Sequence, residues 1–281
     1  MSTSPVRHAR SFLFVPATKP ERFAKALASG ADCIIIDLED AVAEGSKDAA
    51  RAHLAVHLPQ LSADQLARTL VRVNAIDTSW HVADIAQLAD WAEQGVTVML
   101  PKSEAPAALR GVAQTLGKGA RVVALVESLA GLDAATELAR DPQVIRLAFG
   151  HLDFQLDLGM RATPEEPELA FARNALVAAS RRAQLPKPID GVTTDTGNAE
   201  RLTADASRAR AFGFGGKLCI HPAQVAGVNE MLGYSSAEQD WARRVLFEAA
   251  QRGGEVFSLD GRMVDLPVIR AAEAIAATIQ K

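Results

Sequence analysis

The chain has 281 residues, of which 48% are hydrophobic, and a formal net charge of -4; this length fits one large α/β barrel or two ordinary domains. The slightly acidic balance and the lack of a long Lys/Arg cluster exclude a nucleic acid or a membrane surface as the expected partner, which leaves a small-molecule ligand. Because no run of about 18 apolar residues is present and residues 1–10 lack the apolar centre of a signal peptide, we expect a cytoplasmic protein.

Short apolar runs recur along the chain with amphipathic segments between them, which is typical of βα units around a parallel sheet. The predicted strands are 12–16, 33–38, 70–74, 96–100, 122–126, 144–149, 187–190 and 216–220. The predicted helices are 20–29, 46–58, 80–91, 104–116, 129–139, 167–183, 199–211 and 222–232. Eight such units predict a (β/α)8 TIM barrel, with a doubly wound open sheet as the alternative.

The pattern changes after Gly233. A helix is predicted at 235–251 with Ser236 as its N-cap, followed by an extended piece at 256–259 and a last helix at 266–279. We therefore divide the chain into a catalytic barrel, 1–233, and a C-terminal helical extension, 234–281. An extension of this kind either packs beneath the barrel as a lid or reaches a neighbouring subunit.

Barrel enzymes carry their chemistry at the carboxyl ends of the strands, and three acids stand at that end of the second predicted strand. Asp37, Glu39 and Asp40 come directly after its apolar run. Because the run indicates a strand buried on both faces, these acids either meet cations or cap the next turn. A solvated turn is the alternative.

Two cations follow at the next strand ends. Arg72 lies inside the third predicted strand, where a buried guanidinium is costly unless its planar fork meets a carboxylate or a carbonyl oxygen. Two interpretations stay open, namely substrate binding and a salt bridge to Asp37 or Glu39. Lys102, after the fourth strand, either neutralises the acids or extends into solvent.

The most informative pair of residues is Glu127 and Asp153, each of which follows the apolar run of a predicted strand. If the two strands are neighbours in a parallel sheet, both carboxylates reach the same crevice. Two hard oxygen ligands there suit a Mg²⁺ ion that keeps several waters or takes substrate oxygens. The alternative is that both acids are helix N-caps or solvated loop residues.

The C-terminal extension supplies one more acid. Asp260-Gly261 is a turn dipeptide, and Asp265 stands just before Leu266-Pro267 at the start of the last predicted helix. Capping of that helix is enough to explain Asp265.

A set of motifs runs through nearly the whole chain in a fixed order. The motifs are Arg10-Ser11-Phe12-Leu13-Phe14-Val15-Pro16, Asp37-Leu38-Glu39-Asp40-Ala41-Val42, Val71-Arg72-Val73-Asn74, Leu100-Pro101-Lys102, Val126-Glu127-Ser128, Phe149-Gly150 with Asp153, and Gly213-Phe214-Gly215-Gly216-Lys217 with Ile220-His221-Pro222. Together they resemble the citrate lyase beta-subunit family of the HpcH/HpaI aldolase superfamily. That family includes malyl-CoA, citramalyl-CoA and citryl-CoA lyases.

The resemblance implies a (β/α)8 barrel, usually trimeric, in which Glu127 and Asp153 hold Mg²⁺. It implies that Arg72 binds the oxygens of the reacting oxo or hydroxy acid, next to Glu127, and that Glu39 and Asp40 hold metal-bound waters. Supporting positions around the metal and the substrate are assigned to Asp37, Glu39, Asp40 and Lys102.

The resemblance also assigns a role to the extension. In CoA-dependent members the acid that matches Asp265 comes from an adjacent subunit and serves as the acid/base. The segment from Arg262 to Pro267 matches that part of the family pattern, so the extension is intact here. Departures from the pattern include Ala17-Thr18 in place of the commoner glycine after Pro16, and His151 where small residues are usual. They leave the implied metal ligands in place.

These implications lead us to expect a Mg²⁺-dependent carbon–carbon lyase. Its substrate would be a small 3-hydroxyacyl-CoA of the malyl, citramalyl or citryl type, cleaved into an oxo acid and an acyl-CoA. Arg72 would stabilise negative charge on the oxo-acid half, and Asp265 would protonate the enolate carbon. The alternatives are a CoA-independent aldolase of free hydroxy-oxo acids and a citrate lyase beta subunit that acts on an acyl carrier protein thioester.

Overall fold

The computed structural model describes residues 4–253 and 255–279. Its centre is a closed barrel of parallel strands in which each strand pairs with the next along the chain and β8 pairs with β1. The strands are β1 (Ser11–Pro16), β2 (Cys33–Asp37), β3 (Thr69–Arg72), β4 (Thr97–Leu100), β5 (Val122–Val126), β6 (Val144–Phe149), β7 (Ile189–Asp190) and β8 (Gly216–Cys219). The predicted (β/α)8 barrel is confirmed.

Helices surround the barrel and connect its strands. They are α1 (Phe23–Leu27), α2 (Lys47–His57), α3 (Ala63–Ala67), α4 (His81–Glu93), α5 (Pro106–Leu116), α6 (Leu129–Ala139), α7 (His151–Asp157), α8 (Ala170–Arg182), α9 (Ala199–Phe212) and α10 (Gln224–Leu232). None of the helices within the described residues combines the length and the apolar character that a bilayer crossing requires.

The strands bury both of their faces, one inside the barrel and one against the helices. In β2, Cys33 and Ile35 belong to the inner cluster, whereas Ile34 and Ile36 pack in the outer layer with the helices. Because successive side chains of a strand point to opposite faces, this alternation directs Asp37 to the inner side. The same count directs Arg72 inward after Leu70, and Glu127 inward after Leu125.

The structure differs from the prediction in two additional short helices and one shorter strand. The short helices α3 and α7 were not predicted because one or two turns are too short to show a helical periodicity. The strand predicted at 187–190 is reduced to Ile189–Asp190. Pro188 has no N–H to donate to a ladder, although its carbonyl accepts the N–H of Gly215 at 3.0 Å.

The chain divides into two compact units, Met1–Leu232 and Gly233–Lys281. The second unit contains α11 (Ser236–Gln251), a hairpin of β9 (Phe257–Leu259) and β10 (Arg262–Val264), and α12 (Leu266–Ile279). It has its own core, in which Val245, Phe257 and Ala272 are buried. The dipeptide Asp260-Gly261 forms the tight turn of the hairpin with φ of 50° and 74°.

The N-cap predicted for α11 was wrong by one residue. Ser235, not Ser236, accepts the N–H of Glu238 at 3.2 Å, and the Glu238 carboxylate accepts the N–H of Ser235 at 2.8 Å. In this reciprocal capping box the acid stands three positions after the N-cap serine, which selects the serine at 235 because the acid is at 238.

Candidate active site

A buried ion pair joins the carboxyl ends of β2 and β3. Arg72 donates from Nε and from Nη2 to the two oxygens of Asp37, each at 2.7 Å. The two residues are register partners across the strands, and Asp37 also accepts the N–H groups of Glu39 at 3.0 Å and Ala41 at 3.1 Å. Of the two interpretations of Arg72, the salt bridge to Asp37 is therefore present, and it fixes the plane of the guanidinium.

The remaining side of the guanidinium faces two more acids. Arg72 Nη1 lies 3.0 Å from Glu39 Oε2 and 3.1 Å from Asp40 Oδ2, and the centre of the guanidinium is 4.8 Å from the ring of Phe14. Burial lowers the pKa of Arg72, but Asp37, Glu39 and Asp40 outweigh that effect, so that its pKa is raised. Arg72 is therefore a permanent cation held in one orientation.

Glu127 stands at the end of β5 and is 5% exposed. Its Oε1 accepts the backbone N–H of Lys102 at 2.7 Å, and Lys102 adopts a left-handed φ of 43° at this point. Burial raises the pKa of Glu127 to about 7, and the charges of Asp153 and Asp40 act in the same direction, against the N–H of Lys102 and the charge of Arg72. Burial thus outweighs the Lys102 N–H and the Arg72 charge, and the charged form of Glu127 is only partly compensated.

Gly150, at the start of α7, provides the space for this carboxyl group. A Cβ at position 150 would lie 2.5 Å from Glu127 Oε2 and 2.6 Å from Glu127 Cβ. Only a glycine fits against Glu127 here. Sequence reasoning treated Gly150 as part of a motif and missed this contact.

Asp153 lies in the first turn of α7, at the exposed rim of the barrel. Partial burial and the charge of Asp40 raise its pKa, whereas Arg72 and Lys102 oppose the rise. Because Asp153 also contributes to the raised pKa of Glu127, the two carboxyl groups lie within electrostatic reach of each other. Neither acid is an N-cap, since Ser128 caps α6 by accepting the N–H of Gly131 at 3.1 Å and the N-cap position of α7 is Gly150.

Glu39 carries a second buried carboxyl group with a raised pKa. Burial raises the pKa of Glu39 to about 8; Arg72 lowers it, and Asp40, Glu127 and Asp37 raise it further. Its Oε2 is buried without a hydrogen bond of proper geometry, although the ion-pair contact with Arg72 is present. Asp37, Glu39, Asp40, Glu127 and Asp153 thus form an acid cluster around a single guanidinium.

The acid cluster fits a divalent cation. Within residues 4–253 and 255–279, no group of three or more His, Cys, Asp or Glu side chains is arranged as a complete metal site. Mg²⁺ seldom needs one, because it is commonly held by one or two carboxylates and completes its shell with waters and substrate oxygens. Burial first, and then the neighbouring carboxylates, raise the pKa values of Glu127 and Glu39, and a cation beside them would favour their charged forms.

Asp265 belongs to the C-terminal unit. Its Oδ1 accepts the N–H of Val268 at 3.3 Å, and its carbonyl accepts the N–H of Ile269 at 2.9 Å. Asp265 therefore caps α12, as the sequence around it predicted.

Comparison with known proteins identifies the family. The family model described as HpcH/HpaI aldolase/citrate lyase matches residues 10–222. A citrate lyase subunit beta-like protein of Deinococcus radiodurans is 38% identical over 276 residues, which cover 95% of each chain. A (3S)-malyl-CoA thioesterase of Cereibacter sphaeroides is 35% identical over 278 residues, covering 95% of this chain and 96% of that one.

The solved structures agree with the sequence comparison. The CitE protein of Mycobacterium tuberculosis, in complex with magnesium, acetoacetate and coenzyme A, superimposes with a TM-score of 0.81 and 35% identity. The match covers 98% of this chain and all of that one. The chain therefore belongs to the HpcH/HpaI aldolase/citrate lyase family.

Proposed function

We propose that this protein is a Mg²⁺-dependent lyase that cleaves a small 3-hydroxyacyl-CoA of the malyl, citramalyl or citryl type into an oxo acid and an acyl-CoA. The observation that carries the proposal is the buried carboxyl group of Glu127, with a pKa of about 7, beside Asp153 and a guanidinium clamped by Asp37. This combination offers a cation site next to a fixed positive charge. The similar CitE protein binds magnesium and coenzyme A, which supports both the metal requirement and the CoA substrate of the proposal.

Glu127 and Asp153 are the residues that would hold the metal, and Glu39 and Asp40 would accept hydrogen bonds from its waters. A bound Mg²⁺ supplies a Lewis acid that stabilises negative charge on the oxygens of the oxo-acid half. Lys102 contributes its backbone N–H, which keeps one oxygen of Glu127 in place.

Arg72 would bind the carboxylate or the developing carbonyl of the oxo-acid half. Because Asp37 fixes its Nε and Nη2, the guanidinium does not need to reorganise when charge develops on the substrate. In the cleavage direction the substrate hydroxyl would give its proton to the carboxylate that serves as the acid/base, and the carbon–carbon bond would break. The electron pair of that bond moves to the carbon next to the thioester.

Asp265 is our candidate for the acid that protonates this carbon. The support is its place in the segment Arg262 to Pro267, which matches the extension of CoA-dependent family members, and the position of Asp265 at the end of a short hairpin. We propose that the extension acts in a homotrimer, in which Asp265 of one subunit serves the barrel of another.

A second candidate activity is hydrolysis of a malyl-type CoA thioester. The similarity to the (3S)-malyl-CoA thioesterase favours it, at 35% identity over nearly the full length. Hydrolysis keeps the carbon skeleton and releases free CoA and malate, whereas cleavage releases glyoxylate and acetyl-CoA, so the products separate the two activities.

The test is an assay of malyl-CoA, citramalyl-CoA and citryl-CoA, each with Mg²⁺ and with EDTA. We expect at least one of the three thioesters to yield an oxo acid when Mg²⁺ is present. In EDTA none of them should be cleaved. Glu127→Gln should abolish the reaction, whereas Glu137→Gln, a change at an exposed glutamate on α6, should not affect it. Full activity in EDTA would refute the metal's role. If the protein turns over only free hydroxy-oxo acids, its substrate is not a CoA thioester. If it is active only after an acyl carrier protein is added, its substrate is a carrier-protein thioester.

A further inference from the structure

A buried lysine lies behind the acid cluster. Lys47 is the first residue of α2 and is 6% exposed. Its Nζ donates to the carbonyl oxygens of Leu38 and Glu39, each at 2.8 Å, and lies 5.4 Å from the centre of the Trp80 ring. These contacts hold the peptide segment between Asp37 and Asp40 directly.

The partners of this ammonium group are unusual for a buried cation. The two acceptors are neutral carbonyls, and no carboxylate of the described residues forms an ion pair with Nζ. Burial lowers the pKa of Lys47, and the charges of Asp37, Glu39, Asp40 and Asp84 oppose that effect from a greater distance. A buried charge without a direct counter-ion is costly, so that simple salt-bridge stability does not explain the arrangement.

The same helix also holds the segment that follows β3. Arg51, one turn further along α2, donates to Asp84 Oδ1 at 2.6 Å. Asp84 Oδ2 in turn accepts the backbone N–H of Asn74 at 3.0 Å and its side-chain N–H at 2.7 Å. Helix α2 therefore holds, through these hydrogen bonds, the segments that follow β2 and β3. Glu39, Asp40 and Arg72 lie at these two strand ends.

From this geometry we infer that Lys47 is a positioning residue, which fixes residues 38–40 so that Glu39 and Asp40 face Arg72 and the proposed metal site. The inference rests on the proposed function. Its physical basis is that the direction of a carboxylate depends on the peptide that carries it, and the two carbonyls bound by Lys47 border the Cα of Glu39. A support of this kind typically changes metal affinity when it is removed.

The experiment compares Lys47→Met with the wild-type protein and with Lys118→Met, a matched change at an exposed lysine. Mn²⁺ binding is measured by electron paramagnetic resonance, together with kcat, the Mg²⁺ activation constant and Tm. We expect Lys47→Met to weaken Mn²⁺ binding and raise the activation constant about tenfold, with a smaller loss of kcat at saturating Mg²⁺. Lys118→Met should match the wild type.

The outcomes separate positioning from mere stability. A folded Lys47→Met protein whose Mn²⁺ dissociation constant equals that of the wild type would overturn the inference. So would a loss of activity that follows the fall in Tm while the activation constant stays unchanged. If Lys47→Met does not fold, Lys47→Gln is measured instead; its amide is neutral and one atom shorter than the lysine side chain, so both constants should change in the same direction by a smaller factor, and wild-type constants would again overturn the inference. A wild-type protein that binds no Mn²⁺ would instead refute the proposed function.

Discussion

The acid cluster contains buried carboxyl groups whose charges are only partly neutralised. Arg72 is one cation among five carboxyl groups, and two of those groups, Glu39 and Glu127, have pKa values raised to about 8 and about 7. The first cause in both is burial, which removes the water that would stabilise the charged form. A metal ion restores that stabilisation, so metal binding and the ionisation of these groups should depend on each other.

The contribution of Glu39 to the stability of the metal-free protein should therefore fall with rising pH. The folded-state pKa of Glu39, about 8, lies above its ordinary value of 4.5, so the folded state binds the proton more tightly. Glu39 then favours folding at low pH, and this contribution is lost as pH rises from about 4.5 through 8, by up to about 1.4 kcal/mol per pH unit. Glu39→Gln should flatten the decline in Tm between pH 5 and 8 in EDTA. An equal decline in the variant would contradict this assignment.

The contact between Gly150 and Glu127 predicts a steric effect on the site. In Gly150→Ala the new methyl group would lie 2.5 Å from Glu127 Oε2, so that the carboxyl group must move. A shift of about 1 Å in a catalytic group costs about a hundredfold in activity. Steady-state kinetics should show this loss at saturating substrate.

Gly111→Ala is the matched control, because a methyl group at that position in α5 meets no atom within 4 Å apart from the backbone of its own helix. It should keep full activity and stabilise the helix by about 0.5–1 kcal/mol. A Gly150→Ala protein as active as this control would contradict the predicted steric conflict with Glu127.

At the scale of the elements, alternation along the strands places the site. The inner positions of β2, β3 and β5 lead to Asp37, Arg72 and Glu127, so that three charged side chains meet at one end of the barrel. The order of the strands then makes Asp37 and Arg72 register partners. A shift of one residue in any of these strands would turn its charged group towards the helices.

Helix α11 offers a local test of capping in the C-terminal unit. Ser235→Ala removes the side-chain acceptor for the Glu238 N–H and should destabilise this helix by about 1 kcal/mol. Ser236→Ala, at the neighbouring serine inside the helix, should have almost no effect. Hydrogen exchange of the first-turn amides and thermal unfolding measure both variants. A larger effect at Ser236 than at Ser235 would contradict the capping box.

At the scale of the whole molecule, the proposed reaction needs both compact units. Asp265→Asn tests this, because asparagine caps a helix about as well as aspartate but cannot supply a proton in the same way. We expect kcat to fall by about 10²–10⁴, with Tm and Mn²⁺ binding almost unchanged. Wild-type turnover in this variant would eliminate Asp265 as the acid.

The proposed trimer makes a separate prediction. Light scattering should give a mass three times that of the 29.8 kDa chain. Co-expression of Glu127→Gln with Asp265→Asn should restore part of the activity, because some sites then combine an intact barrel with an intact extension from a neighbour. No recovery in a mixed trimer would show that Asp265 acts within its own chain or not at all.

Much of this molecule could be predicted from local pattern. The apolar runs of the barrel strands predicted their positions well, except at β7, where Pro188 limits the ladder. The acids Glu127 and Asp153 stood out because each follows such a run. Ser235 was missed because adjacent serines look alike until the position of Glu238 is considered.

The sequence alone determined the (β/α)8 architecture and the charged residues at the strand ends, because hydrophobic periodicity and the order of residues along a strand are local properties. Only the tertiary structure decided that Arg72 pairs with Asp37, that Gly150 lies against Glu127 and that Lys47 is buried behind Glu39. Strand register and helix packing set the distances between these residues, and neither can be predicted from the local sequence around each residue. The chemistry of the site depends on those distances, since they determine how much water each charge loses and which partner replaces it.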